Sequence, residues 1–206
     1  MLDERFVLLG ALIGSLGSIS YLVATIQGRA RPNRVTFFFW ALAPLIAFVA
    51  ELAEGVRIQS VMTLMVGLSP LAIFIASFVN RQSEWRLTRF DVGCGVLALA
   101  GIALWSLTRE GTLAILFSIA ADGFAAIPTI LKSYSHPRSE NRWLYLASAI
   151  NAGVTLLTIK EWTFAYYAFP AYILAVTLLI FGLVSGIPGR RFLEPLRIAA
   201  VGADYV

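Results

Sequence analysis

The chain has 206 residues, 59% of them hydrophobic and 14% charged, with a formal net charge of +4. That is more apolar than the roughly 45–50% of ordinary soluble domains, and nearly all of it lies in runs of about 20 residues, the length that crosses a bilayer core, which excludes a separate soluble domain. The basic excess does not mark a nucleic-acid binder, because Lys and Arg sit in short gaps between the runs; a single cysteine, Cys94, excludes an internal disulfide and a zinc-finger type of metal site.

The runs predict seven membrane spans, over 6–27, 35–54, 60–79, 90–107, 112–131, 143–159 and 163–187. The first begins after Met1-Leu2-Asp3-Glu4-Arg5, which lacks the basic flank of a signal peptide, so it reads as a retained span. Its Gly10, Gly14 and Ser18 recur every four residues and form a small-residue face, for packing within the bundle or in a dimer. Span two contains Pro44 and ends on Glu51 and Glu54, which share a helix face and either attract cations at the outer mouth or lie at the interface. Span three carries Ser69 and Pro70, and span four is short and rich in Gly and Ala. Span five holds Asp122 near its middle and Pro128 two turns on, span six holds Asn151, and span seven holds Pro170 and Tyr172. From Pro188 the chain reads as a surface tail. Trp40, Trp85, Trp105, Trp143 and Trp162 fall near span ends and read as an aromatic belt rather than as substrate contacts.

Charge asymmetry sets the orientation. Of the 16 Lys and Arg residues, twelve lie in one set of gaps: Arg29, Arg31 and Arg34; Arg81, Arg86 and Arg89; Lys132, Arg138 and Arg142; and Arg190, Arg191 and Arg197. Arg5, Arg57, Arg109 and Lys160 make up the other set. The positive-inside rule puts the richer set in the cytoplasm, hence the N-terminus outside and the C-terminus inside.

A carboxylate at the depth of Asp122 costs several kcal/mol unless it faces a partner or a water-filled cavity. Four roles compete for it: binding a cationic or hydroxylated substrate, carrying a coupled proton, pairing with an arginine, or serving as a protonated structural acid. No basic residue lies at midplane depth in any span, so a buried ion pair has no evident partner. Asn151, at similar depth, offers two donors and an acceptor and suits either a polar substrate or an interhelical bond. Tyr172 can line the same space or simply pack.

The chain also echoes itself. Tyr21-Leu22-Val23-Ala24-Thr25-Ile26 lies over Ala125-Ala126-Ile127-Pro128-Thr129-Ile130, and each segment precedes a basic loop with a proline, then a tryptophan. In that alignment Ser18 falls on Asp122, and Ser69 reaches similar depth in span three. Three spans, one linking span and three more would give two parallel repeats about an axis along the membrane normal. The expected division is 1–84 for the first three-helix bundle, 85–110 for the link, 111–187 for the second bundle and 188–206 for a cytoplasmic tail.

Ile127-Pro128-Thr129-Ile130-Leu131-Lys132-Ser133-Tyr134, followed by Pro137-Arg138-Ser139-Glu140, resembles the PQ-loop signature of the SWEET sugar transporters and their relatives. Thr129 stands at the namesake glutamine, and Ala24 at the matching proline of the first repeat. Ala171 stands where plant SWEETs often carry an asparagine. Ile150-Asn151-Ala152-Gly153 is similar to the Leu-Asn-Gly of span six in SWEETs. The resemblance implies an all-α integral membrane fold of seven transmembrane helices in 3+1+3 order. It also implies that Pro128 is a hinge for alternating access; Pro44 and Pro170 are equally placed to bend their helices.

The expectation is therefore a bacterial inner-membrane transporter of a small polar solute such as a sugar or amino acid. Asp122, Asn151, Tyr172, Ser18 and Ser69 are its candidate site residues. It needs no cofactor or metal, it sits in a lipid bilayer, and homo-oligomers are possible. The alternative is a non-transporting receptor or assembly protein with the same fold. Catalysis has little support, since no nucleophile stands beside a base and no second carboxylate reaches the depth of Asp122.

Overall fold

A computed structural model describes residues 2–30, 32–79, 89–137 and 140–186. Arg31, Arg81, Trp85, Arg86, Arg138, Ser139 and the expected tail 188–206, with its three arginines, lie outside the described residues. Among the described residues there are seven α-helices and no strand: α1 (Phe6–Ile26), α2 (Arg34–Ala53), α3 (Ser60–Ser77), α4 (Arg89–Thr108), α5 (Gly111–Ser135), α6 (Arg142–Thr158) and α7 (Phe164–Val184). Each sits on a predicted span. α5 runs four residues past its expected end, so Lys132 lies in its last turn, where a cation meets the negative end of the helix dipole.

Five helices, α1, α2, α3, α5 and α7, are long and apolar enough to cross a membrane. Their side chains are arranged for lipid. On α1 the large residues Leu8, Leu12, Leu16 and Ile19 face outward, while Gly10, Gly14, Gly17 and Ser18 are buried. Small residues inside and large apolar ones outside is the pattern of a helix whose solvent is hydrocarbon, where close backbone approach rather than water exclusion holds helices together. The chain is an integral membrane protein.

Six helices close a ring in the contact order α1, α3, α2, α5, α7, α6 and back to α1. α4 stands outside it, against α5 and, to a lesser extent, α2. Its Gly and Ala content has a packing reason. Cys94 donates to the Ala121 carbonyl at 2.9 Å, and a Cβ on Gly101 would come within 2.7 Å of the Phe117 Cβ. Val92, Val96 and Leu99 cover its opposite, exposed face.

The small-residue face of α1 is buried within the chain, against α6. A Cβ at Gly17 would lie 2.5 Å from the Ala147 Cβ and 2.9 Å from the Trp143 carbonyl oxygen; at Gly14 or Gly10 it would crowd the Asn151 amide. The seam between α2 and α5 uses Ala43, Ala121 and Ala125 in the same way. At its far end Glu54 accepts the Gly111 backbone N–H at 2.6 Å, capping the exposed donors that begin α5.

At the opposite, basic end, one side chain ties three elements together. Glu140, its side chain only 3% exposed, pairs with Lys132 at 2.9 Å. It accepts from the Tyr145 hydroxyl at 2.8 Å and from the Tyr21 hydroxyl at 3.4 Å. Asn141 adds a bond from its Nδ2 to Ser20 at 2.9 Å. This cluster latches the loop before α6 onto α1. Glu140→Ala is expected to strand two buried tyrosine hydroxyls, costing roughly 2–4 kcal/mol. Hydrogen exchange at the start of α6 should accelerate; unchanged exchange there would show that the cluster holds nothing.

Candidate functional site

The ring surrounds a cavity that is partly open to the outside. Among the described residues its walls come from α1, α2, α3, α5, α6 and α7, and none of the lining belongs to α4. Four of the five expected site residues meet there: Ser18, Ser69, Asp122 and Asn151 all line it. The fifth, Tyr172, stands behind the wall, and its hydroxyl donates to Asp122 Oδ2 at 2.6 Å. The remaining lining is largely apolar, including Met65, Val66, Ile173 and Val176.

The cavity occupies the half of the ring nearer the basic end. Asp122 and Asn151, at mid-helix, mark its deep end, and Phe37, Tyr145 and Ile180 mark its shallower part. Beyond the deep end the ring is filled. Val7, Ala50, Met62, Ile115, Ala152 and Phe169, one from each ring helix, pack into a continuous buried cluster.

Each polar group has a local cause. Asp122 is 4% exposed and sits on the inward face of α5 with Ala121 and Ala125. Asn151 is 2% exposed and fits only because Gly10 and Gly14 of α1 leave room beside it. Its Oδ1 is buried without a partner. A half-turn of the amide exchanges oxygen and nitrogen at almost no steric cost, so Asn151 can present either an acceptor or a donor. Ser18 is already committed, donating to the Gly14 carbonyl at 3.0 Å.

Trp40 lines the cavity, against the expectation that it belongs to an interfacial belt, and its indole nitrogen is buried without a partner. Trp143 and Trp162 are exposed, as a belt requires, whereas Trp105 packs partly buried against the filled end. Glu51 is neither at a mouth nor at an interface. It is 2% exposed, accepts from the Thr63 hydroxyl at 2.9 Å, and keeps its other oxygen buried without a partner. It turns inward because α3 packs over that face of α2.

Sequence reasoning missed Tyr145, Ser148 and Thr177 as cavity residues. Tyr145 and Ser148 were legible as one face of α6, at three- and six-residue spacings from Asn151. The prolines proposed as hinges, Pro44, Pro128 and Pro170, each lie inside a helix that continues through them, as does Pro70, which lines the cavity. Among the described residues no group of three or more His, Cys, Asp or Glu is placed to hold a metal ion. No family model, curated protein or solved structure matches the chain.

Proposed function

We propose that the chain is a SWEET-like carrier of a small polar solute, built as two three-helix units that rock about a central site. The observation that carries this reading is the cavity itself. It is polar at its deep end, lined by all six ring helices and by none of the linking helix. A packing defect or a ligand pocket of one bundle would not draw on both units so evenly.

The distribution of the lining supports two equivalent units. Val66, Ser69, Pro70 and Ile73 line the cavity from α3, and Ile173, Val176, Thr177 and Ile180 line it from α7 with identical spacing. Phe37 and Trp40 of α2 match Tyr145 and Ser148 of α6 in the same manner, and Ser18 of α1 matches Asp122 of α5. Asn33-Arg34 opens α2 and Asn141-Arg142 opens α6, each asparagine accepting the backbone N–H two residues on at 3.0 Å. The ring order is what a two-fold axis through the cavity would produce, with α1, α2 and α3 exchanged for α5, α6 and α7.

In this reading all seven helices span a bacterial inner membrane, with the N-terminus outside and the basic end in the cytoplasm. The cavity then faces the cytoplasm, with the buried cluster around Met62 and Phe169 as the closed outer gate. Alternating access requires that cluster to part while the basic end closes. The intramembrane prolines, lacking a helical hydrogen bond, are where ring helices bend most easily. Asp122 and Asn151 bind the solute, and Tyr172 positions the carboxylate.

Purified protein reconstituted in proteoliposomes should show saturable uptake of at least one compound from a panel of sugars, amino acids, amines and vitamins. Folded protein with no saturable flux of any of them, and a co-purifying protein instead, would replace the carrier with the receptor or assembly reading. Tyr172→Phe removes the hydrogen bond that the tyrosine hydroxyl donates to Asp122 Oδ2. It is expected to weaken solute binding about ten- to a hundredfold, the worth of one hydrogen bond to a charged group, with little change in the folded state. Equal affinities in the two proteins would remove Tyr172 from the site.

A further inference from the structure

We propose that the solute is a small organic ammonium ion with an apolar or aromatic body. The inference rests on the carrier reading and names the substrate class of the same cavity.

The charge inventory of the wall argues for it. Among the described residues Asp122 is the single carboxylate lining the cavity, and no Lys, Arg or His lines it. Lys132, the nearest cation in sequence on α5, is engaged by Glu140 at the basic end. An ionised Asp122 therefore has no fixed counter-charge in the wall, and the Tyr172 hydroxyl supplies only a neutral donor. In a low-dielectric site a mobile cation restores the missing balance, while an anion adds like-charge repulsion to its own desolvation.

The shape and chemistry of the wall argue for the apolar body. Phe37, Trp40 and Tyr145 line the route from the basic end to Asp122. Aromatic faces attract ammonium groups and accept apolar bodies equally well. Next to them the wall is mostly apolar, with Val66, Ile73 and Val176, and three of its hydroxyls are already engaged: Ser18 and Thr177 donate to their own helices and Tyr145 to Glu140, which leaves few donors for a polyhydroxylated solute. Asn151, with an unsatisfied amide oxygen and a reversible amide, supplies a second hydrogen-bonding group on the wall of the same cavity.

The test holds the body constant and varies only the charged head. Binding of 2-phenylethylamine, phenylalanine, 2-phenylethanol and phenylacetate to the wild-type protein is measured by calorimetry in detergent at pH 7, and uptake of each is measured in proteoliposomes. The amine should bind at least tenfold more tightly than the zwitterion, the alcohol or the acid. In Asp122→Asn the amine should fall to the affinity of the alcohol. If the alcohol, the zwitterion or the acid binds as tightly as the amine, the substrate class is wrong, while saturable uptake of that compound leaves the carrier standing. If the amine binds selectively but none of the four is taken up, the class stands and transport fails. If none of the four binds to folded protein, the substrate class is wrong, and the carrier reading is decided by uptake of the wider panel. The four-probe comparison on the wild-type chain decides the class even if the variant does not fold.

Discussion

Asp122→Asn is expected to leave the protein folded, at least as heat-stable as the parent, and at least tenfold weaker in solute binding, a loss of about 1.4 kcal/mol or more. Each part has a separate cause. Asparagine has the same shape, and its Oδ1 can still accept the Tyr172 hydroxyl now bonded to Asp122 at 2.6 Å. The local packing against Ala121 and Ala125 therefore survives. Removing an ionisable group from the middle of a membrane helix relieves several kcal/mol of desolvation. Function and stability should thus move in opposite directions, the mark of a residue kept for its chemistry. A structural acid behaves otherwise: its replacement lowers the thermal midpoint and leaves binding by the surviving folded protein intact. Parallel thermal unfolding and binding on the two proteins separates these outcomes, and a destabilised variant with normal binding would move Asp122 out of the site.

Gly17→Val should have the largest structural effect of any single change to α1. The first carbon added there would already sit 2.5 Å from Ala147 and 2.9 Å from the Trp143 backbone oxygen. Neither neighbour can swing away, since one is a Cβ and the other is main chain. The helices must separate, and overpacking of this kind costs about 1–3 kcal/mol. The damage extends along the seam, because Gly10 and Gly14 hold the Asn151 amide between the same two helices. The expected result is a lower thermal midpoint in detergent together with lost solute binding. Gly28→Ala is a control for added bulk, since nothing lies within 4 Å of a Cβ there, although its φ of +72° carries some backbone strain. A Gly17→Val protein with parental stability would show that α1 and α6 do not meet as described.

The seven helices were legible because hydropathy in a membrane protein follows helix length: a run that crosses about 30 Å of hydrocarbon needs about 20 apolar residues with their backbone bonds satisfied internally. Asp122 and Asn151 were legible by cost, since polar groups at that depth are expensive to keep. Depth along a helix comes from counting residues, and Ser18 and Ser69, singled out on that count, line the same cavity as Asp122.

Rotation about the helix axis was harder to read. Trp40 near a helix end satisfies both a belt and a cavity wall, and only the packing of α2 between α3 and α5 turned it inward. Glu51 reads as a surface acid by its position two residues from the end of α2, yet it is buried beside Thr63. Glu140 carried a faint signal as the lone acid among Lys132, His136, Arg138 and Arg142, but its partners Tyr21 and Tyr145 come from separate helices. The sequence by itself determined a membrane protein of seven helices, five of them long and apolar enough to cross a bilayer, with an acid and an amide at mid-helix. The tertiary structure decided that six helices form a ring, that α4 stays outside, and that the acid and the amide face one cavity. Hydropathy averages over a whole helix, whereas facing depends on which small residues allow which backbones to approach, and that is a property of pairs of helices.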